Sequence, residues 1–442
     1  MSATRPSGWG MGALPRIVRG EGSYLYDSTG KRYLDGSGGP AAFSLGHGHP
    51  EVNAAIAVQL SKVACGYRYL FSSEPLEELT SLLLSLAGSD FGHIVYSGSG
   101  SEAVEGALKV ALQYWDARGM PSRRHFIARE RSYHGNTLGA LSVSGFQERR
   151  RPFEGSLLPA SFVSAANAYR PLRGLTGAAL VKALADELEE KIKALGADQV
   201  AAFIFEPVVG AAGGAVPAPE GYAQAVRAVC ARHQVLMIAD EVMCGSGRCG
   251  TWRSLEHDRV VPDILAIGKG LAGGYVPLAA TLVTKPVGAA ILEAHGAFLT
   301  GHTYTGHTTA CAAGLAVQRI IQREKLISRV RERGEVLRWE LRSALERFPV
   351  VGDVRGRGYL IGIEFVRERT TREPLPAERA FSQALGRRAF EDGLIVYPCS
   401  GNVGGTAGDT VIVAPPYNAS DAELAELLER LSRAIERTLA GA

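Results

Sequence analysis

Between residues 93 and 283, short unbroken apolar runs alternate with stretches whose apolar positions recur every three or four residues. The runs are His93–Tyr96, Phe126–Ala128, Val200–Phe205, Val235–Ala239, Ile264–Ile267 and Ala279–Val283. Continuous apolar character, without in–out alternation, predicts strands covered on both faces. The stretches between them predict helices. After the turn Ser97–Ser101, the residues Val104, Ala107, Leu108, Ala111 and Trp115 fall on one helical stripe, and Gly221–His233 also reads as a helix. Alternation of this kind predicts an α/β fold with a mostly parallel sheet, in a large domain over 55–310.

Beyond that point the rhythm changes. Helices over about 308–323 and 325–347 lead to a strand at Tyr359–Phe365. A helix near 377–392, strands at Leu394–Tyr397 and Thr410–Val413, and a helix from about 420 follow. This mixture predicts a smaller α+β domain over 311–442. Strand-like pairs in YLYD and KRYLDG predict that the segment 1–54 packs with it. The glycines between Ser400 and Gly408 predict a mobile loop.

Composition narrows the function. The 442 residues are 46% hydrophobic and 21% charged, with a net charge of +3, so nothing points to a polyanionic partner such as nucleic acid. Arg149, Arg150 and Arg151 form the densest basic run and read as a solvated or anion-facing surface. The N-terminal MSATRPSGWGMGALPRIV lacks an apolar h-region, and no run of about 18 apolar residues occurs. A cytoplasmic protein without a membrane span is expected. The six cysteines form no CxxC pair and read as free buried thiols. Cys244 and Cys249 have no further ligands at metal spacing, so no metal site is expected.

Candidate chemistry sits at strand ends. Glu206 follows VAAFIF, Asp240 follows VLMIA, and Lys269 follows DILAIG. Open parallel sheets bind ligands outside the carboxyl ends of their strands, so these three are expected to converge on one cleft. The SGSGS turn between a strand and a helix N-terminus suits an anion, although such turns are also common as plain connections. It is not GxGxxG, and Gly268-Lys269-Gly270 lacks the Ser or Thr of a phosphate-binding P-loop. A lysine in such a place is costly to bury unless paired or used. A phosphate loop, a strand-end aspartate, the segment Tyr133-His134-Gly135 and a strand-end lysine together describe a site for pyridoxal 5'-phosphate (PLP). That cofactor needs a phosphate cradle, an acid at its pyridine nitrogen, groups against its ring and a Schiff-base lysine.

With these motifs in view, the sequence closely resembles the class III (ω-type) aminotransferases, PLP enzymes of fold-type I. The likeness runs through GEGSYLYDSTGKRYLDG (20–36), LGHGHPEV (45–52), SGSEAVEGALKVA (99–111), SYHGNTLGALSVSG (132–145) and FEPVVGAAGGAVPAPEGY (205–222). It continues through LMIADEVMCGSGRCGTW (236–252), PDILAIGKGLAGGYVPLAA (262–280), GHTYTGHTTACAAG (301–314) and RGRGYLIGIEF (355–365). The resemblance implies that Ser99, Gly100 and Ser101 bind the phosphate, with Tyr133 and Val242 on the two faces of the ring. It implies that Asp240 holds the pyridine nitrogen protonated, that Glu206 supports this neighbourhood, and that Lys269 is the Schiff-base lysine and proton shuttle. His134 is expected to hold its loop. Thr303 is implied to reach the phosphate of a neighbouring subunit, in a homodimer or an assembly of dimers.

The implied reaction moves an amino group from an amine or ω-amino acid to a keto acid such as pyruvate, in ping-pong half reactions. Decarboxylation, aminomutation and epimerisation use the same lysine and aspartate and stay open, as does a non-catalytic scaffold. Two departures bear on substrate. Tyr397 stands where many relatives carry a carboxylate-binding arginine in a GLICRP-like segment, and Asn136 stands where others carry one after the HG. Gly38–Ala42 lies where some amine transaminases place a bulky aromatic. Arg68 is expected to receive the acceptor carboxylate, with Arg149–Arg151 as the alternative.

Overall fold

The structure is a computed structural model that describes residues 14–441. The sequence expectation for the first 13 residues lies outside them. Seven strands build the central sheet: Phe91–Ser97, His125–Arg129, Ala160–Val163, Val200–Phe205, Leu236–Asp240, Ile264–Ile267 and Ala279–Thr284. Across the sheet they run in the order 91, 279, 264, 236, 200, 125, 160, by first residue. Only Ala279–Thr284 is antiparallel to its neighbours. The carboxyl ends of the other six therefore share one edge, where an α/β sheet opens to ligands.

The unbroken apolar runs have a direct cause. Phe203 and Phe205 face one core with Leu184, Leu188, Tyr222 and Val226 of the helices Gly177–Leu195 and Tyr222–Arg232. Ala202 and Ile204 face the opposite core with Val104, Ala107 and Ala111 of the helix Gly100–Ala117. Both faces are covered, so polar alternation has no place in the strand. The helices Pro50–Lys62, Glu74–Ala87 and Gly177–Leu195 and the edge strand Ala160–Val163 add to the expected elements.

A second sheet orders Val351–Arg357, Leu360–Glu368, Ala407–Val413 and Tyr397–Val403, all antiparallel. The helices Leu326–Leu345, Phe381–Glu391 and Asp421–Ala440 share its apolar core. A third sheet joins Ile17–Glu21, Tyr24–Asp27 and Arg32–Asp35 to Leu394–Ile395, which lies parallel to Arg32–Asp35.

Three expectations need correction here. Leu394–Tyr397 is not one strand. Ile395 pairs with Asp35, whereas Tyr397 pairs with Ile412 in the other sheet. The residues 400–408 are not a loop, because most of them belong to the hairpin strands Tyr397–Val403 and Ala407–Val413. The positive φ angles of Gly404 and Gly405 make its tip. The cysteines are free, and five of the six are buried, but Cys65 is exposed. No helix among the described residues is long and apolar enough to cross a membrane.

Candidate active site

The three strand-end residues meet. Lys269, Asp240 and Glu206 line one cavity of about 270 Å³ with Tyr133, Ser101 and Val242. Gly268 leaves the strand extended, and Lys269 then takes a left-handed φ of +45° at the start of a short helical turn. Few non-glycine residues adopt that conformation. Desolvation holds the Lys269 ammonium below its ordinary pKa, against the opposing pull of the Asp240 and Glu206 carboxylates.

Asp240 is 4% exposed. One of its oxygens, Oδ1, accepts the Val242 N–H at 3.0 Å, and Oδ2 lies 2.8 Å from His134 Nδ1. His134 is 2% exposed, and its backbone N–H donates to Ser144 Oγ at 2.8 Å. It does hold its loop, as expected, but its ring also fixes the aspartate, which sequence alone did not reveal. Glu206 accepts the N–H groups of Tyr133 at 2.9 Å and Gly210 at 2.8 Å. Burial pushes its carboxyl pKa up, with the nearby Asp240 charge adding to the effect and His134 opposing it. Its carboxylate thus sets the position of Tyr133 rather than pointing free into the cavity.

The phosphate-loop candidates separate by role. Ser99 caps the helix Gly100–Ala117, its Oγ accepting the Glu102 N–H at 3.2 Å. Gly100 and Ser101 line the cavity itself. A Cβ at Gly100 would lie 2.6 Å from Val242 Cγ1, so only glycine keeps that cradle open. Ser101 Oγ accepts the Asn136 N–H at 2.9 Å. An 18-residue helix N-terminus, an amine and a braced carboxylate around one cavity are the donor set that PLP requires, so these residues fit the cofactor.

Thr303 and Arg68 lie elsewhere. They line a separate groove with Tyr67, Tyr69, His302 and Tyr304. Arg68 donates to Tyr69 Oη at 2.6 Å and stacks over that ring, so it does not enter the Lys269 cavity of its own chain. Arg149, Tyr397 and Pro40 do line that cavity.

Glu241, beside Asp240 in sequence, points away from the cavity. Its carboxylate accepts the N–H groups of Ser254 and Leu255, and burial pushes its pKa up to about 7. The folded state therefore keeps a proton that the unfolded chain loses above pH 4.5, so stability falls as pH rises through this window. Glu241→Gln removes the titration. The stability of the variant relative to the parent is expected to be higher at about pH 8 than at about pH 5, by on the order of 1–3 kcal/mol. Any fixed cost of the amide cancels from that comparison. Parallel denaturant melts at the two pH values check it, and a pH-independent difference would reject the assignment.

Comparison with known proteins decides the family. The model for "Aminotransferase class-III" matches residues 11–435. The chain belongs to the class-III aminotransferases. Among relatives of this aminotransferase, "Uncharacterized aminotransferase YodT" of Bacillus subtilis (strain 168) is 42% identical, over 97% of each chain. An "Adenosylmethionine-8-amino-7-oxononanoate aminotransferase" of Geobacter sulfurreducens is 34% identical, over 96% of this chain and 92% of the relative. An amine transaminase from an uncultivated Pseudomonas species, solved in its PLP-bound form, superposes with a TM-score of 0.92 at 34% identity, over 99% of both chains. An ω-transaminase from Thermomicrobium roseum, described as (S)-enantioselective, gives 0.90 at 35% identity, over 96% of this chain and 93% of that one. The fold is therefore fold-type I, and PLP is the cofactor of class-III aminotransferases.

Proposed function

We propose that this aminotransferase moves an amino group from an amine or ω-amino acid to a keto acid such as pyruvate, with Lys269 and Asp240 at the reacting centre. The convergence of a deprotonation-prone lysine and a braced aspartate in one cavity carries the reading. PLP, when bound, supplies an electron sink for the carbon that bears the amino group. Gly100 and Ser101 would hold its phosphate at the helix N-terminus, which Ser99 caps. Tyr133 and Val242 would lie against its ring, and Asp240 would pair with its pyridine nitrogen. Glu206 positions Tyr133 through the backbone. Lys269 would attach the cofactor and, once freed as a neutral amine, would take the proton from the substrate carbon. Desolvation favours the neutral form that this task needs.

A panel of amines and ω-amino acids with keto-acid acceptors tests the reaction. Parallel lines in double-reciprocal plots and stoichiometric amino transfer are expected. Loss of carbon dioxide or isomerisation without transfer to an acceptor would replace the reading with another PLP reaction.

The chain is read as three parts, 1–54, 55–310 and 311–442, with the first docked on the last through the pairing of Arg32–Asp35 with Leu394–Ile395. Its free thiols suit the cytoplasm. A homodimer is proposed from the exposed face that carries Thr303. Tyr69 is 70% and Phe71 67% exposed there, with Leu299 and Tyr304 nearby in sequence to Thr303 and also exposed. Thr303 would then reach the cofactor phosphate of the partner subunit. Sedimentation equilibrium should give a dimer, and Thr303→Ala should weaken cofactor retention without dissociating it. A fully active monomer would reject both statements.

A further inference from the structure

We infer that Arg149 receives the carboxylate of the keto-acid acceptor, an inference that rests on the transaminase reading above and names the residue it leaves open. Arg149 and Lys269 are cations of the same cavity. The acids lining that cavity are engaged with other donors: Glu206 holds two backbone N–H groups, and Asp240 holds Val242 N–H and His134. Glu148, beside Arg149 in sequence, pairs with Arg131 at 2.7 Å instead. Among the described residues Arg149 has no salt-bridge partner, whereas most arginines near it are committed. Arg150 donates to the carbonyls of Leu141, Ser142 and Ser144, and Arg131 also donates to the carbonyl of Gly401.

Aromatic rings hold the free guanidinium in place. Its Cζ lies 5.1 Å from the Tyr133 ring centroid and 5.2 Å from that of Phe146, and the two rings meet edge to face. Stacking of this kind orients the planar fork and leaves its edge N–H groups for a ligand. Tyr397 lines the same cavity, its phenol pushed up to about 12 by burial, so it stays a neutral donor. A fork plus a neutral hydroxyl donor matches a carboxylate, and a neutral aldehyde offers no charge to pair with it. The charge absent from the strand position at 397 is thus supplied from the turn that carries residues 147–150.

Steady-state kinetics with pyruvate and with propanal, an uncharged acceptor of similar size, test this on the cofactor-loaded enzyme. Calorimetric binding of propionate adds a readout that needs no turnover. Arg149→Ala should raise the KM for pyruvate and the Kd for propionate about 10- to 100-fold, with propanal kinetics and the bound-cofactor absorbance unchanged. Arg149→Lys should recover part of the loss, as a point charge lacking the fork. Equal effects on pyruvate and propanal, or unchanged propionate binding, would overturn the inference. Should the parent enzyme transfer nothing to either acceptor yet bind propionate through Arg149, the carboxylate site stands and the transaminase reading falls.

Discussion

Replacing Lys269 with alanine should leave a folded protein that releases no product. In the roles proposed for Lys269, two functions would end together, covalent attachment of the cofactor and proton transfer at the substrate carbon. The expected fall in the first half-reaction is at least about 10⁴-fold, the upper end of what one positioned acid–base group supplies, because attachment is lost as well. Single-turnover deprotonation of an amine donor measures it, and a parent-like rate would end the assignment of Lys269. Stability carries a separate signature. Burial lowers the lysine pKa from 10.5, so between the lowered value and 10.5 the unfolded chain binds a proton that the folded chain does not. The stability of the parent therefore rises with pH through that window, and alanine at 269 removes the slope. Melts of the cofactor-free proteins should show the parent gaining on the variant as pH approaches 10.5.

Asp240→Asn should keep the cofactor and slow proton removal by about 10²-fold, corresponding to the loss of a charge-assisted hydrogen bond of about 3 kcal/mol. The amide has nearly the shape of the carboxylate, and its oxygen still accepts from Val242 N–H. It carries no charge, so a protonated pyridine nitrogen held there would lose its counter-ion. The amide N–H₂ also meets His134 Nδ1, which must then accept and shift its own proton to Nε2, an atom buried without a partner among the described residues. A modest loss of stability is expected to accompany the slow step. Absorbance of the bound cofactor with single-turnover rates separates the outcomes, and a parent-like rate would make Asp240 structural only.

The charged residues of the cavity were legible in the sequence because they stand where apolar runs stop. Asp240 closes its strand, Glu206 directly follows one and Lys269 comes one glycine after another, and a charge in such a place is explained by a ligand more readily than by the core. What surrounds the centre was less legible. Whether Ile395 and Tyr397 share a strand depends on which partner each meets, Asp35 or Ile412, and both partners lie far away in the chain. The glycines of 400–408 read as a loop because local propensity cannot register a hairpin whose pairing comes from the strand Ala407–Val413. Arg68 and Arg149 are equally basic in the sequence. Side-chain direction separates them: Arg68 lies back over Tyr69, while Arg149 rests against Tyr133.

The cavity is walled by two different sheets. Lys269, Asp240 and Glu206 follow strands of the central parallel sheet, whereas Tyr397 belongs to the antiparallel C-terminal one. Tyr397 thus brings the C-terminal sheet against a cavity whose charged side chains, Arg149 included, all come from the other part of the chain. A change in the hairpin around Tyr397 can therefore alter one wall of the cavity while the strands that carry lysine and aspartate keep their register.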